Sequence, residues 1–329
     1  MRYVVGVDIG GTNVVVGTVA EDGSAVHGVR SAPTLPEEGP QAVLGRIARL
    51  VQASMAEAEK MAGVARDRIV GVGIGSPGPL DRERGLVLIT PNLGWRDLPL
   101  RQMVSEAVGL PATLDNDANC AVYGEWWVGA ARGAKYVVGL TIGTGIGGGI
   151  VIDGQIYHGT SDVAGEIGHT TIDSTGRLCK CGNYGCLEAY ASGPAIAARA
   201  VEGIVSGVDT RLAPMVGGDL AKITAQTVYE AARENDEYAL EVVRDTAKFL
   251  GAGVGNLVNI LNPDIVVIVG GVTLAGDQLF VPLRSEVKRR AFKPAVERCR
   301  IVAGALPGTA GVVGAAATFT LQGRTGRGV

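Results

Sequence analysis

Residues Tyr3-Val4-Val5-Gly6-Val7-Asp8-Ile9-Gly10-Gly11-Thr12 return, little altered, as Tyr136-Val137-Val138-Gly139-Leu140-Thr141-Ile142-Gly143-Thr144-Gly145. Each copy is an apolar run entering a Gly/Thr turn. A second apolar run follows and ends at Asp-Gly, Asp22-Gly23 in one copy and Asp153-Gly154 in the other. The pattern predicts two β-hairpins of one design, each leading half of the chain. A Gly/Thr tip exposes backbone N–H groups and a hydroxyl without side-chain bulk, a concavity suited to phosphate oxygens. A lone tip needs no explanation beyond a tight turn. Two at matching positions predict a polyphosphate clasped from both sides.

Outside the first hairpin, residues 40–65 form an amphipathic pattern with Val43, Leu44, Ile47, Leu50 and Val51 on one helix face. A strand is expected over 68–74, closed by Ser76-Pro77-Gly78-Pro79, then a helix over 98–109 and a short strand over 112–114. Asp115-Asn116-Asp117-Ala118-Asn119 is expected to open a helix reaching residue 129. The second half repeats the plan: strands over 136–142 and 146–152, helices after Ser192 and across 224–261, and a buried strand over 264–269. Asn262-Pro263 stops the long helix. After Gly270-Gly271 come a helix near 278–290, a strand over 299–304 and a Gly/Ala-rich helix over 309–320. Strands alternating with helices predict α/β layers. The expected division is residues 1–114 with 308–329 as a small domain and 115–307 as a larger one.

The chain has 329 residues, which suggests two domains, and its 47% apolar and 19% charged content is that of an ordinary globular protein. A net charge of −3 offers no broad basic surface for nucleic acid or anionic lipid. No leader pattern opens the chain and no apolar run approaches the roughly 18 residues of a membrane span, so a cytoplasmic protein is expected. Fifty glycines are about twice the usual share, but they sit in turns between apolar strands, and only the tail 323–328 reads as frayed. Gly73-x-Gly75-x-x-Gly78 and Gly143-x-Gly145-x-x-Gly148 match the dinucleotide fingerprint in letters alone. That motif needs strand, turn and helix, whereas proline follows the first and strand sequence the second. The phosphate-binding loop of the common NTPases is absent.

Asp8 ends the first strand where the repeat has Thr141. A carboxylate beside a phosphate cradle is productive when Mg²⁺ stands between them, through water if need be; otherwise it is an Asx-turn residue. In the 115–119 cluster, capping explains one or two polar residues, not four. A carboxylate there suits a general base for phosphoryl transfer, with amides to bind the hydroxyls of a polyol. His169, Cys179, Cys181 and Cys186 supply one nitrogen and three thiolates, the inventory of a closed structural zinc site, with reduced packed thiols as the plainer reading. Glu166 and Glu188 flank that block as candidates for binding hydroxyls. His27 and His158 read as incidental, and the isolated Cys120 and Cys299 as buried.

Taken together, Asp8-Ile-Gly-Gly-Thr12, Pro91-Asn92-Leu93, Asn116-Asp117-Ala-Asn119, the turn at 143–149, Gly165-Glu-Ile-Gly-His169 and Cys179-x-Cys-Gly-Asn-Tyr-Gly-Cys-Leu-Glu188 resemble the ROK family of sugar kinases and repressors, and most of all its bacterial ATP-dependent glucokinases. The resemblance runs from residue 3 to about 320. It implies the actin-like/hexokinase (RNase H-like) fold, two α/β domains with a cleft between them for ATP and sugar. It also implies Asp117 as the base toward the sugar 6-hydroxyl, and Asn92, Asn116, Glu166, His169 and Glu188 as sugar ligands. Asp8, Gly10, Gly11, Thr12, Thr144 and Gly145 would hold the Mg²⁺–triphosphate, with Gly270 and Gly271 near the nucleoside. His169 would give one ring nitrogen to zinc and the other to the sugar. Many relatives carry Lys where this chain has Asn13, so a cation expected there is missing.

The resulting expectation is an ATP-dependent hexose kinase, glucose first, working as a homodimer or homotetramer with ATP, Mg²⁺ and structural Zn²⁺. Mannose, fructose, N-acetylglucosamine or N-acetylmannosamine are the competing acceptors and polyphosphate a competing donor. A sugar-responsive repressor is disfavoured because the first hairpin starts at once and no basic stripe is present. Loss of zinc is expected to weaken sugar binding and leave nucleotide binding unchanged.

Overall fold

The computed structural model describes residues 1–90 and 92–322; Pro91 and the tail 323–329 lie outside the described residues. Contacts divide the chain into two compact units. The first holds Met1–Ala134, Gly149–Gly165 and the chain from Ala305 onward, and the second Lys135–Gly148 and Glu166–Gly304.

In chain order the first half runs β1 (Tyr3–Ile9), β2 (Asn13–Ala20), β3 (Val26–Pro33), α1 (Pro40–Ala62), β4 (Ile69–Ser76), β5 (Leu80–Asp81), β6 (Leu86–Thr90), β7 (Trp95–Leu98), α2 (Leu100–Val108), β8 (Ala112–Asn116) and α3 (Asp117–Trp127). The main sheet has the order β3-β2-β1-β4-β8, antiparallel through the hairpins and parallel from β1 to β4 to β8. Alternation along β1 sends Val5, Val7 and Ile9 to the face that buries Val43, Ile47 and Val51 of α1. Val4 points to the other face, with Val312 and Ala316 of the last helix. Each such fully buried side chain contributes roughly 1.5–3 kcal/mol relative to exposure.

The second half runs β9 (Tyr136–Ile142), β10 (Ile146–Ile152), β11 (Gln155–Ile156), α4 (Glu188–Ala191), α5 (Gly193–Val205), α6 (Leu212–Met215), α7 (Ala225–Arg233), α8 (Glu237–Leu261), β12 (Ile265–Val269), α9 (Asp277–Arg290), α10 (Lys293–Val296), β13 (Arg300–Ala303) and α11 (Ala310–Ala317). Its sheet order, β11-β10-β9-β12-β13, repeats that of the first. β12 lies parallel to β9 and β13, as β4 does to β1 and β8. The duplicated hairpin therefore heads a duplicated sheet, the plan of the actin-like/hexokinase fold. A separate apolar core fills the second unit, from Leu140 and Ile142 to Leu250, Val254 and Ile268.

Two glycines let α11 lie against the first sheet. A Cβ at Gly6 would stand 2.0 Å from the Val312 carbonyl oxygen, and one at Gly73 would stand 1.8 Å from that of Ala315. A Cβ at Gly314 would come within 1.5 Å of the Cys120 carbonyl oxygen, so α11 and α3 cross backbone on backbone. This contact holds α3 to the first unit, in which it falls with the rest of Met1–Ala134.

Some local expectations are revised. Asp115 does not open a helix; it lies within β8, and Asn116, the last residue of that strand, caps α3 by accepting from the backbone N–H groups of Ala118 and Asn119. The helix expected over 224–261 is two, broken where Asn235 takes a left-handed φ of 62° and Asp236 caps α8. No described helix is long and apolar enough to cross a membrane.

Candidate active site and metal cluster

In the first unit, β1 delivers Asp8 to the hairpin tip. The Gly10 N–H donates to the Asn13 carbonyl at 2.8 Å, and Thr34 secures the turn from outside, its N–H donating to Thr12 and its hydroxyl to Gly10. Gly11 and Thr12 stay exposed, a turn whose backbone N–H groups could meet an anion. Exposed Asn92 stands beside the tip, its Cβ 3.9 Å from where a Gly11 Cβ would be. Asp8 packs against the first turn of α11, since a Cβ at Gly311 would stand 2.1 Å from its Oδ2.

At the end of β8, capping by Asn116 directs Asp117 into the first turn of α3, where it is half-buried. The first turns of α3 pack on Gly75 of β4, where a Cβ would lie 3.2 Å from Cys120 Sγ and 3.4 Å from the Asp117 Cα. Asp117 Oδ1 accepts from the Ala118 N–H at 2.8 Å. Asp8 and Asp117 are close enough to feel each other. Burial, then repulsion from Asp117, pushes the Asp8 carboxyl up to about 7. A cation beside Asp8 would reverse that shift.

Asp115 is fully buried and answers to different partners. His158 Nε2 lies 2.9 Å from its Oδ2, Arg82 Nε 3.2 Å from the same oxygen, and the Asn116 N–H donates to Oδ1 at 2.8 Å. Burial pushes this carboxyl up, but the hydrogen bond and charge of His158, the charge of Arg82 and the Asn116 N–H outweigh it, and the net shift is downward. His158 is therefore not incidental, which corrects the sequence expectation. Glu125, buried on α3, was also missed: its carboxylate accepts from the N–H groups of Ala130, Ala305 and Leu306. Cys120 is buried as expected and Cys299 only half-buried. His27 sits on β3 with its ring centre 6.1 Å from that of Tyr3.

In the second unit the repeated tip is closed by Gly143 N–H to Gly145 carbonyl at 2.9 Å, leaving Thr144 exposed. Gly270 and Gly271 lie exposed after β12. Gly270 has φ 112°, and a Cβ there would meet the Ile142 carbonyl oxygen at 2.1 Å, so the end of β12 runs tight against the end of β9. Glu188 accepts from the Ile146 N–H at 2.8 Å through Oε2, and its Oε1 lies 3.9 Å from Cys179 Sγ. The carboxylate expected to bind sugar thus also ties the second hairpin tip to the cysteine loop.

His169, Cys179, Cys181 and Cys186 converge, each offering a ligand atom within 4.8 Å of the others. Cys181 and Cys186 sulfurs are 3.6 Å apart, and Cys179 Sγ is 3.9 Å from His169 Nδ1. Tetrahedral zinc with bonds of about 2.3 Å to sulfur and 2.0 Å to nitrogen needs separations near these. Burial pushes the Cys186 thiol up to about 12 and Cys179 upward, while the Asn183 backbone lowers Cys181. Three crowded thiols of this kind are the donor set that a metal converts to thiolates. The other ring nitrogen of His169 faces away from the cluster, 4.0 Å from Glu166 Oε2.

The sequence profile of the ROK family matches residues 4–321. The chain belongs to the ROK family. Among ROK relatives, a glucokinase of Halalkalibacterium halodurans is 38% identical over 95% of this chain and 93% of its own length. A xylose repressor of Caldicellulosiruptor bescii is 38% identical over 68% of this chain and 56% of its own. The crystal structure of a ROK-family glucokinase from Streptomyces griseus in complex with glucose and AMPPNP superposes with a TM-score of 0.81, at 34% identity, over 96% of this chain and 98% of that one.

Proposed function

We propose that this chain is a sugar kinase that moves the γ-phosphoryl group of ATP to the 6-hydroxyl of a hexose, glucose before others. The observation that carries the reading is the pairing of Asp117, held at the start of α3 by the Asn116 cap, with Asp8 beside the Gly10-Gly11-Thr12 tip. A base and a cation-seeking carboxylate in mutual range are what phosphoryl transfer to an alcohol requires. The near full-length match to a glucokinase, and to a structure holding glucose and an ATP analogue, supports this choice over the repressor.

In this reading Asn92, Asn116, Glu166, His169 and Glu188 hold the sugar hydroxyls, and Asp117 accepts the proton of the 6-hydroxyl. The new bond joins that oxygen to the γ-phosphorus, the bond from γ-phosphorus to the β–γ bridging oxygen breaks, and ADP leaves with the electron pair. The two hairpin tips, Gly10-Gly11-Thr12 and Thr144-Gly145, hold the triphosphate, while Gly270 and Gly271, lacking side chains, let the nucleoside approach. Mg²⁺, held through Asp8, would supply the positive charge that offsets the phosphates. Zn²⁺ on His169, Cys179, Cys181 and Cys186 would be structural, with four protein ligands and no open position, and would fix which nitrogen His169 turns toward the sugar.

The test is ADP release over a panel of hexoses with Mg²⁺-ATP. Glucose is expected to give the highest kcat/KM; no turnover with any hexose would refute the kinase reading, and a better substrate would move the assignment to that sugar.

A further inference from the structure

We propose that Arg82, His158 and Asp162 form, with the buried carboxylate of Asp115, a positioning network that fixes the sugar-facing groups Asn116 and Asp117. The inference rests on the reading of Asp117 as the base and adds residues to it.

The Asp115 side chain has no exposed surface, and a buried carboxylate stays ionised only where partners replace water. Here they come from separate segments. Arg82 arrives from the turn between β5 and β6, with Nε 3.2 Å from Oδ2. His158 arrives from the loop after β11, with Nε2 2.9 Å from the same oxygen. The Asn116 N–H donates to Oδ1 at 2.8 Å, and the Asn119 side-chain amide approaches it at 3.4 Å. Asp162 closes the ring: the Arg82 N–H donates to its Oδ2 at 3.1 Å, and the guanidinium Nη1 lies 3.6 Å from its Oδ1.

Geometry separates this cluster from an ordinary structural ion pair. Apolar residues of equal volume would hold three segments together as well or better. They would not give the Asn116 backbone N–H an acceptor, one residue before Asp117. The same carboxylate anchors the loop 157–165, which leads directly in sequence to Glu166, and the β5–β6 turn, whose small sheet precedes and follows Asn92. Groups intended for one sugar are thus tied to one buried anion.

The experiment titrates glucose calorimetrically into the nucleotide-free full chain and, in parallel, titrates AMPPNP with Mg²⁺, for wild type, His158→Ala and His158→Gln. Loss of the ring is expected to weaken glucose binding and lower kcat by about tenfold each, with AMPPNP binding within about twofold, because ångström-scale misplacement is costly at the reacting centre. Gln presents an N–H near the position of Nε2 and is expected to recover glucose affinity to within about threefold of wild type. A purely structural role would lower the melting temperature and binding stoichiometry while leaving the glucose Kd unchanged, and that result overturns the proposal. If His158→Ala yields no folded protein, Asp162→Asn decides: about threefold or more weaker glucose binding supports the network, and wild-type affinity and kcat overturn it. Asp117→Asn separates the two readings. If it retains kcat, the base assignment fails, while the glucose Kd of the His158 variants still reports on the network.

Discussion

Asp117→Asn keeps a group able to hydrogen-bond the 6-hydroxyl and removes the one able to take its proton. General-base catalysis contributes ~10² to 10⁴-fold, so kcat is expected to fall at least that far while the glucose Kd changes little. A variant within tenfold of wild type in a steady-state assay would remove Asp117 from the role. Asp8 makes a second prediction, in pH. Its carboxyl moves from an ordinary 3.8 to about 7 in the folded chain, so the native state holds a proton that the unfolded chain has released. Its contribution to stability is full below pH 4 and is lost as pH rises through about 7. Asp8→Asn removes that loss. The ligand-free variant is expected to be more stable than wild type at pH 8 by on the order of 2 kcal/mol, allowing for partial exposure, and to show little gain at pH 4. Melting curves at both pH values check it, and an equal gain at both would assign the effect to something other than titration. The same variant should lose Mg²⁺-dependent nucleotide binding. At this scale the sequence was legible where residue type and chemistry coincide, as in the Cys₃His block. It passed over Arg82 and read His158 as incidental, because a charged turn and a strand-end histidine look solvated until the fold brings them to Asp115.

Elements repeat the same division between the legible and the hidden. Long apolar strands and the amphipathic α1 are visible because burial on one face imposes a period. β3 went unread because it is an edge strand with a largely half-buried or exposed face, and β5 to β7 because strands of two to five residues carry too few alternations. The crossing of α3 and α11 shows in sequence only as an excess of Gly and Ala. It has a sharp consequence: Gly314→Ala would place a Cβ 1.5 Å from the Cys120 carbonyl oxygen, which is backbone and has nowhere to go. We expect a loss of about 3 kcal/mol in urea unfolding, the upper range for overpacking. Gly45→Ala on α1, where the nearest atom to a new Cβ is a flexible Arg49 nitrogen at 3.6 Å, is expected to gain about 0.5–1 kcal/mol. Equal effects at the two sites would mean that helix propensity, not the close crossing, governs both.

Across the whole molecule, each unit has its own apolar core, so a perturbation in one need not be felt as a uniform loss of stability. Loss of one thiol from the Cys₃His cluster is the perturbation that tests this. From sequence alone the zinc loop was expected to serve the sugar and leave the nucleotide untouched. The path through Glu188 argues otherwise: one oxygen accepts from Ile146, two residues past Thr144, and the other lies near Cys179. Cys181→Ser, which removes one ligand from the cluster, is therefore expected to weaken glucose binding by ~10 to 100-fold, the usual worth of contacts around a metal. Nucleotide affinity is expected to fall as well, by a smaller factor. Hydrogen exchange locates the effect. Amides at 143–146 and 166–192 are expected to exchange faster in this variant, with those of β1, β4 and β8 unchanged. Faster exchange throughout would mean that the chain behaves as one cooperative body, and no change at 143–146 with nucleotide affinity intact would return the zinc loop to a role confined to the sugar.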